Sequence, residues 1–146
     1  MHRAGEDGNL VVRLEDGEEL LDALRRLEIS SGAILCGVGM LRGLKLGYWT
    51  GTEYVFEEVT EPVELLSLQG NFAQGPEGII VHVHATVAKR GSAALGGHVM
   101  AATAHNTAEI VIRRFGRILL ERKPEPSGLL GLYPSVSGSG PHPAAR

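Results

Sequence analysis

Three histidines have the residue type and spacing that chemistry requires. His82 and His84 lie in "GIIVHVHATV", Gly78 to Val87, a run that is otherwise aliphatic, and His98 follows in "LGGHVM". Residues i and i+2 of a strand project to one face about 6.6 Å apart, so the two imidazoles can converge on one ion while Val81, Val83 and Ala85 fill the other face. The intervening "AKRGSAAL" has the length of a loop returning antiparallel, which would bring His98 beside the pair. Gly96 and Gly97 would let the backbone approach closely just before it. Three neutral imidazoles are a borderline-soft donor set suited to Zn²⁺, with Fe, Ni or Cu also accommodated, and water or a ligand would complete a tetrahedron. The same pattern also suits a half-exposed polar strand face or hydrogen-bonded core histidines, and spacing alone leaves these readings open.

Two further residues are candidate proton carriers. His105 sits in "TAHNTAE", which reads as a turn between strands and offers either a substrate-facing imidazole or an exposed turn residue. Glu109 heads "EIVI", where it is a hydrogen-bond acceptor for a ligating imidazole, a general base or a surface carboxylate. A Ser-His-Asp arrangement is disfavoured, because no Asp occurs after Asp22 and no serine sits in a Gly-x-Ser-x-Gly turn. The single cysteine, Cys36, reads as a small buried hydrophobe rather than a reactive thiol.

The elements that must position these groups are mostly strands. "NLVVRL" (Asn9 to Leu14) reads as the first, and "EDG" turns the chain. In "EELLDALRRLEI" Leu20, Leu21, Leu24 and Leu27 recur at helical spacing, with Asp16 as a candidate N-cap. Short β-like runs follow: "AILCGV", "LRGLKLGYW", "EYVFEEV", "VELLSLQGNF", "IIVHVHATV", "HVMAATA" and "AEIVIRRF". With one helix there is no βαβ crossover, which predicts an α+β fold: a single twisted antiparallel sheet, curled toward a barrel, with the helix on its apolar face. The glycines of "GVGMLRG" do not fit a dinucleotide fingerprint, since no helix follows, and read as sites where strands bend or bulge. Residues 1–8 read as a flexible N-terminus, 9–133 as one domain, and the Pro/Gly/Ser-rich 134–146, with His142, as a disordered tail.

Composition narrows the function classes. Of 146 residues, 43% are hydrophobic and 21% charged, and no apolar run is long enough for a membrane helix. "MHRAGEDGNL" has no signal-peptide h-region, so a cytoplasmic location is expected. A net charge of −3 gives no overall support to phosphate-driven nucleic-acid binding. A local basic cluster does exist: Arg113, Arg114 and Arg117 in "IRRFGR", then Arg122 and Lys123.

Taken in order, "SGAILCGVGMLRGLKLGYW", "EYVFEEVTEPVELLSLQGNFA" and "IIVHVHATVAKRGSAALGGHVMAATAHNTAEIVI" resemble the plant and prokaryote conserved (PPC) domain, also called the PD1-like DNA-binding domain. The resemblance runs from about Asn9 to Arg122. It implies an antiparallel sheet with a packed helix, assembled as a homotrimer. It also implies that His82, His84 and His98 are the metal-associated histidines of prokaryotic members, with zinc the usual ion. Glu109 matches the acidic position opening the family's late strand. Two departures stand out: the turn between the H-x-H and the Gly-Gly-His is basic and lacks Asp, and no AT-hook is present.

Two functions follow as expectations. One is a zinc-binding homotrimeric domain with a DNA-binding or regulatory role. The alternative is a metal-dependent enzyme acting on a small molecule at the open coordination position, with Glu109 or His105 moving the proton.

Overall fold

The computed structural model describes residues 1–91 and 93–138 and consists of nine strands and one short helix. In chain order the elements are β1 (His2–Glu6), β2 (Asn9–Glu15), α1 (Leu20–Arg25), β3 (Gly32–Trp49), β4 (Tyr54–Val59), β5 (Val63–Gly75), β6 (Gly78–Ala88), β7 (Ala94–Arg114), β8 (Ile118–Pro124) and β9 (Leu130–Val136). Strand β3 pairs with both β5 and β7, and β6 pairs with the same two strands from the other side. These four strands therefore close a ring, which is the barrel-like part of the sheet. Around it, β1 and β2 extend from β7, β4 from β3, and the β8–β9 hairpin from β5. The β5–β8 pairing is parallel, through Gln74 and Glu121, so the sheet is mixed rather than wholly antiparallel.

Alternation explains the core. Strand β2 is strictly exposed-buried, with Leu10, Val12 and Leu14 inside. The ring contributes Leu41, Leu44, Leu68, Phe72, Val83, Ile110 and Ile112, all buried, and α1 covers them with Leu20, Leu21, Ala23 and Leu24. The helix is shorter than its apolar stripe predicts. Glu19 rather than Asp16 caps it, accepting from the Asp22 backbone N–H at 2.7 Å, and Glu28 at φ 53° stops its continuation.

Long strands replace several short ones because bulges let one strand turn a barrel corner. "AILCGV" and "LRGLKLGYW" are both β3, with register shifts at Ile34/Cys36, Gly39/Leu41 and Arg42/Lys45. Gly39, at φ 136°, lies so close to the Thr107 carbonyl that no Cβ would fit. The first shift places Leu35 and Cys36 both outward, so Cys36 is exposed and not the buried hydrophobe expected. "TAHNTAE" is likewise not a turn but the middle of β7, with Asn106 absorbing a left-handed φ of 64°.

The terminal segments also differ from expectation. His2–Glu6, expected to be flexible, form β1 against β2, and the Met1 ammonium meets Glu18 at 2.8 Å. Pro134, Ser135 and Val136 belong to β9, so the ordered chain passes the expected boundary; residues 139–146, including His142, lie outside the described residues. Ser31 ties the hairpin to the ring, donating to the Ile118 carbonyl at 2.8 Å and accepting from the Leu120 N–H at 3.1 Å. Among the described residues no helix is long and apolar enough to cross a membrane.

Candidate metal centre

Strand β6 presents His82 and His84 on one face and buries Val81, Val83 and Ala85 on the other, as the period of two requires. The β6–β7 register sets His84 directly opposite His98, and β3 places Gly47 on the other side of His98. Gly96 makes this approach possible: a Cβ there would press into the Ala85 carbonyl oxygen at 2.6 Å. The basic turn closes normally, with the Lys89 N–H donating to the Ala93 carbonyl at 3.1 Å.

The three imidazoles meet. Each offers a nitrogen, and these nitrogens all lie within 4.8 Å of one another. Ring centroids are separated by 5.0 Å for His82 and His84, 4.9 Å for His82 and His98, and 5.3 Å for His84 and His98. The His82 and His84 Nε2 atoms stand 3.2 Å apart. Two zinc–nitrogen bonds of about 2.0–2.1 Å at a tetrahedral angle would put their nitrogens about 3.3 Å apart. That separation matches one edge of a coordination tetrahedron, and the His98 nitrogen lies within 4.8 Å of both. His98 Nδ1 is buried without a hydrogen-bond partner among the described residues, the kind of orphaned atom that invites a ligand or water.

Electrostatics keep His82 and His98 neutral. Burial first, then the Arg122 guanidinium and the neighbouring imidazoles, lower the His82 pKa from 6.5 to about 4. Burial and the same neighbours also lower that of His98. A neutral imidazole is the ligating form, so protons do not compete for these nitrogens at neutral pH.

Arg122 is the residue that sequence reasoning misplaced. It was grouped with a surface basic cluster, yet β8 delivers it into the site, where Nη2 stands 2.9 Å from His82 Nδ1 and donates to Asn71 Oδ1 at 3.1 Å. A guanidinium only donates, so His82 Nδ1 accepts, its proton resides on Nε2, and Nε2 donates to His84. Tyr54 adds an aromatic wall, with its ring 5.9 Å from that of His98 and 5.1 Å from that of Trp49. The histidines stand between two cavities: one of about 460 Å³ beside Tyr48, Trp49 and Gly97, and one of about 380 Å³ beside Arg122, Ile80 and Leu130.

His105 and Glu109 are not brought to this centre. His105 and Glu109 stand seven and eleven residues beyond His98 along β7, and neither joins the cluster of ligand atoms. Asp16 and Arg42 surround His105, with Arg42 Nη1 at 3.0 Å from His105 Nδ1 and 2.8 Å from Asp16 Oδ1. Glu109 is exposed and pairs across the sheet with Arg13 and Val38. Of the basic cluster, Arg113, Arg114 and Arg117 are exposed, and Lys123 pairs with Glu121 at 2.9 Å.

A bulged β ring with one covering helix and three imidazoles converging beside a cavity defines a β-sheet domain with a candidate metal centre. The chain belongs to the Plants and Prokaryotes Conserved (PCC) domain family, whose model matches residues 1–116. Among solved structures it is similar to a plant- and prokaryote-conserved protein of Pyrococcus horikoshii, with 26% identity, TM-score 0.75, 88% of this chain and 92% of that one covered. It is also similar to a metal-containing protein of Archaeoglobus fulgidus, at 28% identity and TM-score 0.73, covering 86% of this chain and 92% of that one. A candidate DNA-binding protein of Bacteroides thetaiotaomicron shares the fold at 24% identity and TM-score 0.83, covering 90% and 96%. No curated protein matches.

Proposed function

We propose that this protein is a metal-binding PCC-domain protein in which His82, His84 and His98 hold a divalent transition ion, zinc foremost, and a small molecule from the adjoining cavities reaches the fourth position. The carrying observation is the mutual approach of three imidazole nitrogens within 4.8 Å. The metal-containing relative from Archaeoglobus supports it. Such an ion would supply Lewis acidity toward a ligand oxygen. The chain's own residues wall one side of the site with Tyr54 and Trp49 and keep His82 and His98 neutral. With His105 and Glu109 outside the cluster, no carboxylate or fourth imidazole among the described residues joins the three histidines to move a proton, which favours ligand binding over catalysis.

The expected test is titration of chelator-stripped protein with Zn²⁺, giving one site per chain in wild type and none in His98→Ala. Uptake by His98→Ala equal to that of wild type would refute the assignment.

A homotrimer acting in the cytoplasm completes the reading. Val11, Leu35, Val38 and Leu66 are half-exposed on the outer faces of β2, β3 and β5, an apolar area that partner subunits would cover. Sedimentation at three times 15.6 kDa supports this arrangement, and a stable monomer contradicts it.

DNA binding is a second reading, favoured by one observation: Arg113, Arg114 and Arg117 cluster at the β7 end, and no ion pair to a carboxylate is formed by any of them among the described residues. Fluorescence anisotropy on mixed duplex DNA decides it. Salt-dependent binding that weakens when these arginines become glutamine upholds it; no binding at micromolar protein in low salt removes it.

A further inference from the structure

The Arg122 guanidinium enters the centre with a positive charge that no carboxylate among the described residues answers. It forms none of the ion pairs found among the described residues, and its polar partners are the neutral His82 Nδ1, Asn71 Oδ1 at 3.1 Å and the Leu130 carbonyl at 2.9 Å. Its Nε is buried with no hydrogen-bond partner among the described residues. A guanidinium has five N–H donors, and three contacts leave two unclaimed. Buried charges are ordinarily paired, so an uncompensated arginine in a cavity wall is an incomplete interaction.

A second argument comes from tautomers. With a metal held through Nε2, the His82 imidazole would carry its proton on Nδ1 and would no longer accept from Arg122. One more guanidinium N–H would then be free, with added positive charge beside it. Both changes raise the demand for an acceptor of opposite charge. The cavity that Arg122 lines is otherwise walled by Ile80, Leu129, Leu130 and Tyr54, which suits a small apolar body.

We propose that Arg122 is an anion-recognition residue, and that the molecule taken up beside the metal centre is a small oxyanion, a carboxylate or phosphate, held between Arg122 and the ion. This assignment rests on the reading of the three imidazoles as a metal centre. The planar fork of arginine matches a carboxylate or phosphate through paired N–H donors, which a lysine ammonium does not reproduce.

Calorimetric titration of the full chain with malonate, and separately with inorganic phosphate, tests it, with metal content measured alongside. Metal-loaded wild type is expected to bind one of these probes. Arg122→Gln should lose at least about ten-fold in affinity with unchanged metal content, and Arg122→Lys should recover part of the loss. In wild type, the Arg122 Nε–H resonance should shift on adding the probe, a readout that does not depend on a variant folding. Equal affinity in Arg122→Gln, an unmoved resonance, or no binding of either probe at millimolar concentration overturns the proposal. Arg122-dependent binding by protein that takes up no metal would contradict the metal reading and uphold the anion site; metal uptake without it would do the reverse.

Discussion

Two regions of this molecule each combine histidine with arginine, and they are built on opposite terms. Around His105, Arg42 meets the Asp16 carboxylate at 2.8 Å and the His105 ring at 3.0 Å, while the Asn106 N–H donates to the same carboxylate at 2.8 Å. Every charge there has a partner, and the cluster pins the β2–α1 connection to the bulge in β7. Around His82, among the described residues, Arg122 has no carboxylate partner and His98 Nδ1 no hydrogen bond, while three imidazoles crowd within reach of one point. A closed network of this kind stabilises a fold. An open one costs stability, because buried polar atoms lack partners, and so points to a ligand.

The largest way to break the comparison is at the ligands. His82→Ala or His98→Ala should abolish stoichiometric zinc uptake, a loss beyond the 10–100-fold that removing a supporting partner costs elsewhere. Competition against a chromogenic chelator measures it. Arg122→Gln comes next: it leaves uptake intact, and removing the cation should tighten zinc binding, since a positive charge beside the ion is unfavourable. Weaker binding in that variant would mean that Arg122 supports the imidazoles rather than awaiting an anion.

Acidification sharpens the contrast further. The folded pKa of His82 lies near 4, below its ordinary 6.5, so at low pH the unfolded chain takes up a proton that the folded metal-free chain refuses. Stability from this group is therefore fully present above about pH 6.5 and falls as pH drops toward 4, with His98 acting in the same direction. Denaturant midpoints of stripped protein across that range should decline, and the decline should shrink in His82→Gln. The smallest effects belong to the closed region. Asp16→Asn should lower the melting temperature by a few degrees at most, and His105→Ala less, with zinc stoichiometry unchanged in both. A metal defect in either variant would join the two regions and dissolve the distinction between them.

How far the sequence revealed the centre follows from what is local. His82 and His84 are two residues apart on one strand, and His98 returns across a single hairpin, so their meeting depends on short-range pairing that alternation and the double glycine announce. Arg122 depends on a strand whose place is fixed by one parallel contact, Gln74 with Glu121, and by the buried hydroxyl of Ser31. Neither leaves a periodic trace, and in "RRFGRILLERK" the residue resembles its exposed neighbours. Bulges explain the remaining differences. The register shift at Ile34/Cys36 turns Cys36 outward, and the left-handed Asn106 continues β7 where polar residues suggested a turn. The helix and strands were legible because buried alternation in β2 and the leucines of α1 are single-element patterns. Curling toward a barrel was expected, but that β3, β5, β6 and β7 are the strands that close the ring was not legible, since it is a relation among four segments.

X-ray absorption at the metal edge, on protein purified without added metal, tests the central claim most directly. The account predicts about one ion per chain, with a first shell of nitrogen and oxygen at about 2.0–2.1 Å and the outer scattering of three imidazoles. Protein free of bound metal, or a shell without imidazole scattering, would contradict it.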